Sequence, residues 1–448
     1  MVEDSPGARH IAVETLLRVE RDQAWADAAL SGALDAVALD PRDRALATRL
    51  VYGTLAWQGL LDWHLGTLAN RKVPTLDLAL RVILRMGLYQ ILLLERIPPH
   101  AAVDTSVELA KRYVRPAAGM VNAVLRRALR ERDALALPDP ADAVRHLSVT
   151  TSHPEWLVRE WQRHFSPTDL GALLAANNQA AATVLRARPS RRDHLLAELA
   201  GAGVTAQPGR FAPDAVRIDD LGQHALPAIA PEYGTLQSEA SQLVAMLLGS
   251  EPGLRVLDAC AAPGGKATYL ADLAGDRGLV IAVERHPLRA AAVRQRAHRL
   301  GLRSLVSIAA DARTCAEFLQ GTTFDRILVD APCTGLGTLR AHPEARWTRK
   351  AGDPARLAEL QRAILDGVIP LLGSGGALVY ATCTLTEAEN EQVVRRTLAK
   401  HPELEREDAT AFLPASAHGL VDASGALRTL PHRDDLDGFF AVRLRRRA

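Results

Sequence analysis

No apolar run in this 448-residue chain approaches the length of a bilayer-spanning helix; the longest, such as Ile91–Leu94, are a fraction of the ~20 residues required. No Arg-rich presequence or signal peptide precedes Ser5–Pro6, so a cytoplasmic protein without a membrane partner is expected. Cysteine is scarce. Cys260, Cys315, Cys333 and Cys383 lie far apart with no C-x-x-C pair, which argues against a disulfide framework and a structural zinc site. No metal is expected, and the thiols stay available for chemistry. Charge of one sign is not in excess either: at a formal net charge of +2, any nucleic-acid surface must come from local clustering. The Walker pattern G-x-x-x-x-G-K-[ST] is absent, which argues against a nucleoside triphosphatase. Aromatic residues are few, but the apolar fraction of 48% is ordinary for a globular chain, and the length predicts two or three domains.

What the chain does contain is organised around Arg255–Lys266, RVLDACAAPGGK. Val256 and Leu257 read as the end of a buried strand, and Pro263–Gly264–Gly265 as a tight turn into an apolar helix. Without side chains, Gly264 and Gly265 let a ligand approach the backbone at a helix start, where unpaired N–H groups favour anionic or polar groups. From about residue 250 short apolar runs alternate with helical ones. The strands are predicted at Val256–Ala259, Val280–Val283, Leu305–Ala309, Asp325–Val329 and Ala377–Tyr380, a doubly wound parallel sheet. In such sheets ligands bind at the carboxyl ends of the strands, and Asp258, Glu284, Asp311 and Asp330 fall there. Glu284, about twenty residues beyond the glycine turn, suits ribose hydroxyls. Two further strand ends, LVDAPC and LVYATC, deliver Cys333 and Cys383.

Residues from about 7 to 135 read as helix throughout, with apolar residues at three- and four-residue spacing and Pro or Gly between segments. Lys111, Arg112, Arg126, Arg127 and Arg130 form a basic cluster there, either an RNA contact or a solvated face; Asn122 reads equally as a cap inside a bundle. The Pro- and Asp-rich stretch LPDPAD marks a linker, near Leu137–Ala141. Beyond it come an amphipathic helix carrying Trp156 and Trp161, read as core residues, and a strand–helix–strand pattern at Thr183–Arg188, Arg191–Ala200 and Val216–Ile218. Arg340, Arg346, Arg349 and Lys350, after the Pro-Cys loop, are candidates for phosphate contact or a solvated loop.

The segments ARHIAVETLLRV, LRMGLYQILLLERIPPHAAVDTSVELAK and GMVNAVLRR resemble the NusB family of small helical RNA-binding domains. DACAAPGGK, FDRILVDAPCTGLGTLRAHPEARW, LVYATCT followed by E-x-E-N, and the terminal DGFF resemble the RsmB/Sun family of S-adenosylmethionine-dependent RNA cytosine-C5 methyltransferases. In the methyltransferases that this chain resembles, a small module sits between these two parts and HPEWLV and Q-x-E-x-S recur there; both are present in this chain. The resemblance covers almost the whole chain. It implies a NusB-like all-helical RNA-binding domain at 1–135, a small α/β module at 150–235 and a Rossmann-like class I methyltransferase domain at 236–448.

It also implies roles. Cys383 is then the nucleophile that adds to C6 of cytosine, and Cys333 assists release. Asp330 hydrogen-bonds the N3/N4 edge of the base, and Lys266 lies near both base and cofactor. The S-adenosylmethionine site is drawn from Asp258, Cys260, Ala261, Ala262, Pro263, Gly264, Gly265, Lys266, Glu284, Asp311 and Asp330. Outside that possible pocket role, Cys260 reads with Cys315 as a small buried hydrophobe. The implied substrate is 16S ribosomal RNA. A tRNA substrate, or a NusB-like antitermination factor with a degenerate methyltransferase half, are the alternatives. Two departures stand out: Glu284 where the family usually has Asp, and Thr334–Gly337 in place of a Ser-containing loop.

Overall fold

The computed structural model describes residues 7–220 and 234–447, apart from the side chain of Asp220; Ser5–Pro6 and positions 221–233 of the expected linking module lie outside the described residues. Two compact units are formed: Met1–Gln179 with Leu339–Ala351, and Ala180–Thr338 with Gly352–Ala448.

The first unit is helical. Seven helices, Ala8–Asp22, Ala26–Asp35, Pro41–Ala56, Gln58–Ala69, Leu78–Leu93, Pro99–Tyr113 and Ala118–Arg130, follow the expected periodicity closely. Leu78–Leu93 is apolar nearly all round and becomes the central helix, burying Leu80, Ile83, Leu84, Leu88 and Ile91. Its N-terminus is capped by Asp77, whose carboxylate accepts from the N–H groups of Ala79 and Leu80. Arg85, buried on the same helix, donates both Nε and Nη2 to Asp62 at 2.6 and 2.7 Å and Nη1 to Glu20, so its charge is fully paired. The helices approach closely at Gly87, where a Cβ would fall 2.7 Å from Leu125 Cδ1.

The first compact unit runs on past the linker expected at Leu137–Ala141. Short helices at Ala143–Thr150, Glu155–Trp161 and Pro167–Ala176 belong to it, with Trp161 fully buried and Trp156 half-buried. So does Leu339–Ala351, which corrects the phosphate-binding reading of Arg346. That guanidinium is fully buried and donates to the carbonyls of Ala56, Ser152 and Asn177 and to Asn178 Oδ1, with distances of 2.7–3.3 Å. Burial pushes its pKa down to about 9. It is a structural cation that satisfies carbonyls at and just beyond helix ends that no water reaches.

The second unit holds two sheets. β1 (Thr183–Ala187), β2 (Thr205–Pro208), β3 (Ala215–Asp220) and β4 (Gly234–Leu236) form an antiparallel sheet in the order β2-β3-β1-β4. Helix Arg192–Gly201 packs on it through Leu195 and Leu199. The larger sheet comprises β5 (Arg255–Asp258), β6 (Leu279–Glu284), β7 (Leu305–Ala309), β8 (Phe324–Asp330), β9 (Leu372–Thr382), β10 (Leu404–Glu407), β11 (Leu427–Arg428) and β12 (Phe440–Arg446). Its order is β10-β12-β9-β8-β5-β6-β7, with β11 on β12; β5 to β9 run parallel and β12 and β10 close the edge antiparallel.

Successive residues of β5 face opposite cores: Val256 joins Tyr269, Leu270 and Val280, whereas Leu257 joins Phe324, Ile327 and Leu365. A sheet covered on both faces is what a Rossmann-like fold requires. The chain winds outward from β5 in both directions, so the β5/β8 boundary is the topological switch point, the place where such sheets open a crevice.

Candidate active site

The register of the large sheet gathers the acids and thiols at one end. Asp258 pairs with Leu328, and Asp330 with Ala381, so β5, β8 and β9 finish nearly level; β6 ends beside them at Glu284. Each strand then delivers its polar residue to the same edge.

The glycine turn follows β5. Gly264 has φ +99°, a conformation that only glycine adopts without strain, and a Cβ there would meet Val293 Cγ1 at 3.3 Å. It leads into helix Gly265–Leu273. That helix is held by Arg186 of β1, fully buried, which donates to Gly265 O at 2.7 Å, to Gln237 Oε1 at 2.7 Å and to Asp272 Oδ2 at 3.1 Å. The Q-x-E-x-S motif is thereby explained: Gln237 receives Arg186, while Glu239 accepts the backbone N–H groups of Phe211 and Ala212.

Asp258 is buried, and its Oδ2 has no hydrogen-bond partner among the described residues, although Oδ1 accepts weakly from Cys260 N at 3.4 Å. Burial, reinforced by Asp330, raises its pKa to about 7. An orphaned acceptor in such a place calls for a donor from a ligand. Glu284 accepts from His286 N at 2.9 Å, with Arg289 4.0 Å from its other oxygen. Asp311 is more heavily engaged: Arg313 contacts both oxygens, at 2.6–3.1 Å, and holds the carboxyl down at about 2.

Cys333 follows Asp330 across Ala331–Pro332, and Cys383 directly follows β9. Their sulfurs stand 3.3 Å apart. When Cys383 is ionised, Cys333 S–H is the donor between them, and this hydrogen bond lowers the Cys383 thiol below its ordinary value, with help from the Lys266 ammonium and against burial and Asp330. The same hydrogen bond, together with burial, pushes Cys333 up. Lys266 Nζ donates to Asp330 Oδ2 at 2.8 Å and lies 5.1 Å from the centre of the Phe439 ring, in the DGFF stretch. Cys315 is buried, and burial pushes its thiol up to about 12; Cys260 is likewise pushed well up by burial. Neither is a nucleophile in this setting.

Residues with no assigned role in the sequence surround the two thiols. Glu389 and Asn390, inside the visible E-x-E-N motif, are fully buried and bond to the loops that carry Cys333 and Cys383. Among the described residues no cluster of His, Cys, Asp or Glu could hold a metal ion, and no helix is long and apolar enough to cross a membrane.

Residues 245–445 match the model of the family described as 16S rRNA methyltransferase RsmB/F, residues 6–130 match the NusB family, and residues 153–223 match an RsmF/B-like ferredoxin-like domain. The probable ribosomal RNA small subunit methyltransferase B of Bacillus subtilis (strain 168) is 36% identical over 450 residues, covering 98% of both chains. The ribosomal RNA small subunit methyltransferase B of Pseudomonas putida is 37% identical over 440 residues, covering 97% of this chain and 98% of its own. The crystal structure of PH0851 is similar with a TM-score of 0.83 at 23% identity, covering 99% of each chain. NSun6 from Pyrococcus horikoshii, crystallised with SFG, gives 0.58 at 21% identity over 65% of this chain and 98% of that one. These two likenesses concern the fold.

Proposed function

This chain belongs to the 16S rRNA methyltransferase RsmB/F family and is an RNA methyltransferase; from that premise we propose that it methylates C5 of a cytosine in 16S ribosomal RNA, using S-adenosylmethionine and a covalent cysteine adduct. The observation that carries the chemistry is the pair of sulfurs 3.3 Å apart, one thiol lowered and the other raised by the hydrogen bond between them.

C5 of cytosine is a poor nucleophile. Addition of the Cys383 thiolate to C6 moves the electron pair of the C5–C6 double bond toward C5 and N3, which makes C5 enamine-like. S-adenosylmethionine, when bound, supplies an electrophilic methyl group. Asp330, held by Lys266, is assigned to the N3/N4 edge of the base, where hydrogen bonding stabilises the adduct. Once the C5–methyl bond has formed, the C5 proton leaves to a base, its electron pair re-forms the double bond and the C6–sulfur pair returns to Cys383. Cys333 is assigned to this release.

The residues present suit the cofactor: Asp258 with its unpartnered oxygen, the glycine turn through Cys260–Gly265, and Glu284 and Asp311 as acceptors for ribose hydroxyls and the adenine amino group. A pH dependence follows. A ligand donor bonded to ionised Asp258 is lost on protonation, so cofactor affinity should be constant above about pH 7 and fall about tenfold per unit below it. Calorimetric titration across this range should show that slope, and Asp258→Asn should flatten it while binding more weakly. Equal pH dependence in both proteins would remove Asp258 from the pocket.

The domain partition 1–135, 150–235 and 236–448 belongs to the same proposal, with the first part contacting RNA. Lys111 pairs with Glu108 and Arg127 with Glu131, which leaves the face basic without making it bare. Replacing Lys111, Arg112, Arg126, Arg127 and Arg130 by Gln should weaken RNA binding and reduce the log–log salt slope by about 2 to 4, at ~0.7–0.9 per phosphate contact. An unchanged slope would make this a solvated face.

Bisulfite mapping of ribosomal RNA from cells lacking the protein tests the reaction as a whole. Bisulfite spares 5-methylcytosine, so one protected cytosine in 16S rRNA should become reactive and regain protection on complementation. Full protection in the deletion strain, or a change confined to tRNA, would overturn the substrate assignment.

A further inference from the structure

The two thiols are held by a network that neither the cofactor nor the base needs to touch. Glu389 is fully buried, and all of its acceptor capacity points toward the Cys333 loop or the residues bracing it. Oε1 accepts from Thr334 N at 2.8 Å and Gln361 Nε2 at 3.1 Å; Oε2 accepts from Thr334 Oγ1 at 2.6 Å and Thr386 Oγ1 at 2.8 Å. Gln361 also donates to Pro332 O at 3.0 Å, so both chain neighbours of Cys333 are fixed. Asn390 does the same for Cys383: its Oδ1 accepts from Thr382 Oγ1 at 2.5 Å and its Nδ2 donates to Thr384 O at 3.0 Å.

The two halves are cross-linked. Thr334 Oγ1 lies 2.7 Å from Thr384 Oγ1, and since the Thr334 proton is given to Glu389, Thr384 is the donor. Gly337 N also donates to Cys383 O at 2.9 Å. A buried carboxylate is costly unless every lone pair is matched, and this one is matched by groups around the Pro-Cys loop.

We propose that Glu389 and Asn390 are positioning residues that clamp the loops of Cys333 and Cys383 together and so set the sulfur–sulfur contact on which the reactivity of Cys383 depends. The proposal rests on the two-thiol reaction described above for its purpose, but not for its test. Glu389→Ala leaves Thr334 N without its acceptor and frees the Cys333 loop. Asn390→Ala frees both neighbours of Cys383. Glu389→Gln keeps the volume, one acceptor oxygen and a donor that Thr334 Oγ1 can accept.

The test uses the full chain without RNA. The thiol oxidant diamide takes two hydrogens from paired thiols, and the rate of Cys333–Cys383 disulfide formation reports how constantly they meet. Alongside it, thiolate ultraviolet absorbance against pH, compared with the Cys383→Ala protein, follows Cys383. Glu389→Ala and Asn390→Ala should each slow disulfide formation at least tenfold and move the Cys383 titration upward, with cofactor affinity unchanged. Glu389→Gln should recover most of both. If Glu389→Ala fails to fold, Thr334→Val, which removes the hydroxyl bonded to Glu389 and Thr384, decides in its place; if Asn390→Ala fails, Thr382→Val, which removes the hydroxyl bonded to Asn390, does so, and each should change rate and titration in the same direction by a smaller factor. Wild-type disulfide rate and titration in the folded alanine or valine variants would overturn the clamp, whatever happens to turnover. Loss of both with methylation at an atom other than C5 would keep the clamp and remove the C5 reading.

Discussion

Replacing Cys383 by alanine should abolish methyl transfer, by about 10⁴-fold or more, while S-adenosylmethionine binds nearly as before. The thiol acts on C6 of the base, so its loss removes the step that makes C5 reactive without removing a cofactor contact. Of the four cysteines, Cys383 alone has its thiol lowered; burial raises Cys260 and Cys315, and Cys333 is raised by the proton it shares. Single-turnover transfer from methyl-labelled cofactor, with affinity measured on the same preparation, separates the two effects. Turnover within tenfold of wild type would take the nucleophile role away from this residue.

Replacing Cys333 by alanine should have a different outcome. Cys383 loses a hydrogen-bond donor, so less thiolate is present near neutral pH and adduct formation slows. The adduct still forms, and release becomes the slow step. Wild-type protein mixed with substrate RNA and cofactor should run as free protein on a denaturing gel, whereas Cys333→Ala should accumulate a covalent protein–RNA band. Cys333→Ser, which keeps a hydroxyl donor but lacks the thiol's acidity, should form the band faster than the alanine variant. A band from Cys383→Ala and none from Cys333→Ala would reverse the assignments.

The helical front end was legible because its apolar residues repeat at helical spacing and Pro or Gly separates the segments. Pro99–Tyr113 and Ala118–Arg130 fall within two residues of the helices that the apolar spacing predicts at Ala101–Lys111 and Ala117–Arg130. The parallel strands were legible as short apolar runs, and their ends place Asp258, Glu284 and Asp330 without knowledge of the fold. The antiparallel edge was hidden for a physical reason. β12 alternates Val442 and Leu444 with Arg443 and Arg445, and Arg443 is itself buried, paired with Glu407 and covering Phe412. β2 and β4 are short and carry little apolar pattern.

Long-range polar packing was the least legible. Arg346 beside a Pro-Cys loop suggests phosphate contact, yet its acceptors lie 168 to 290 positions away in the sequence. Glu389 sits in a visible motif, but its meaning depends on Thr334, 55 positions earlier, and no local periodicity encodes that pairing.

The two-thiol account is tested most directly with RNA that carries 5-fluorocytosine at the methylated position. Fluorine cannot leave C5 as a cation, so once Cys383 has added and the methyl group has been transferred, the double bond cannot re-form and the enzyme stays attached. Digestion and mass spectrometry should then find one methylated fluorocytosine nucleotide on the peptide that contains Cys383. The nucleotide on the Cys333 peptide, or no attachment by a preparation that methylates ordinary RNA, would contradict the account.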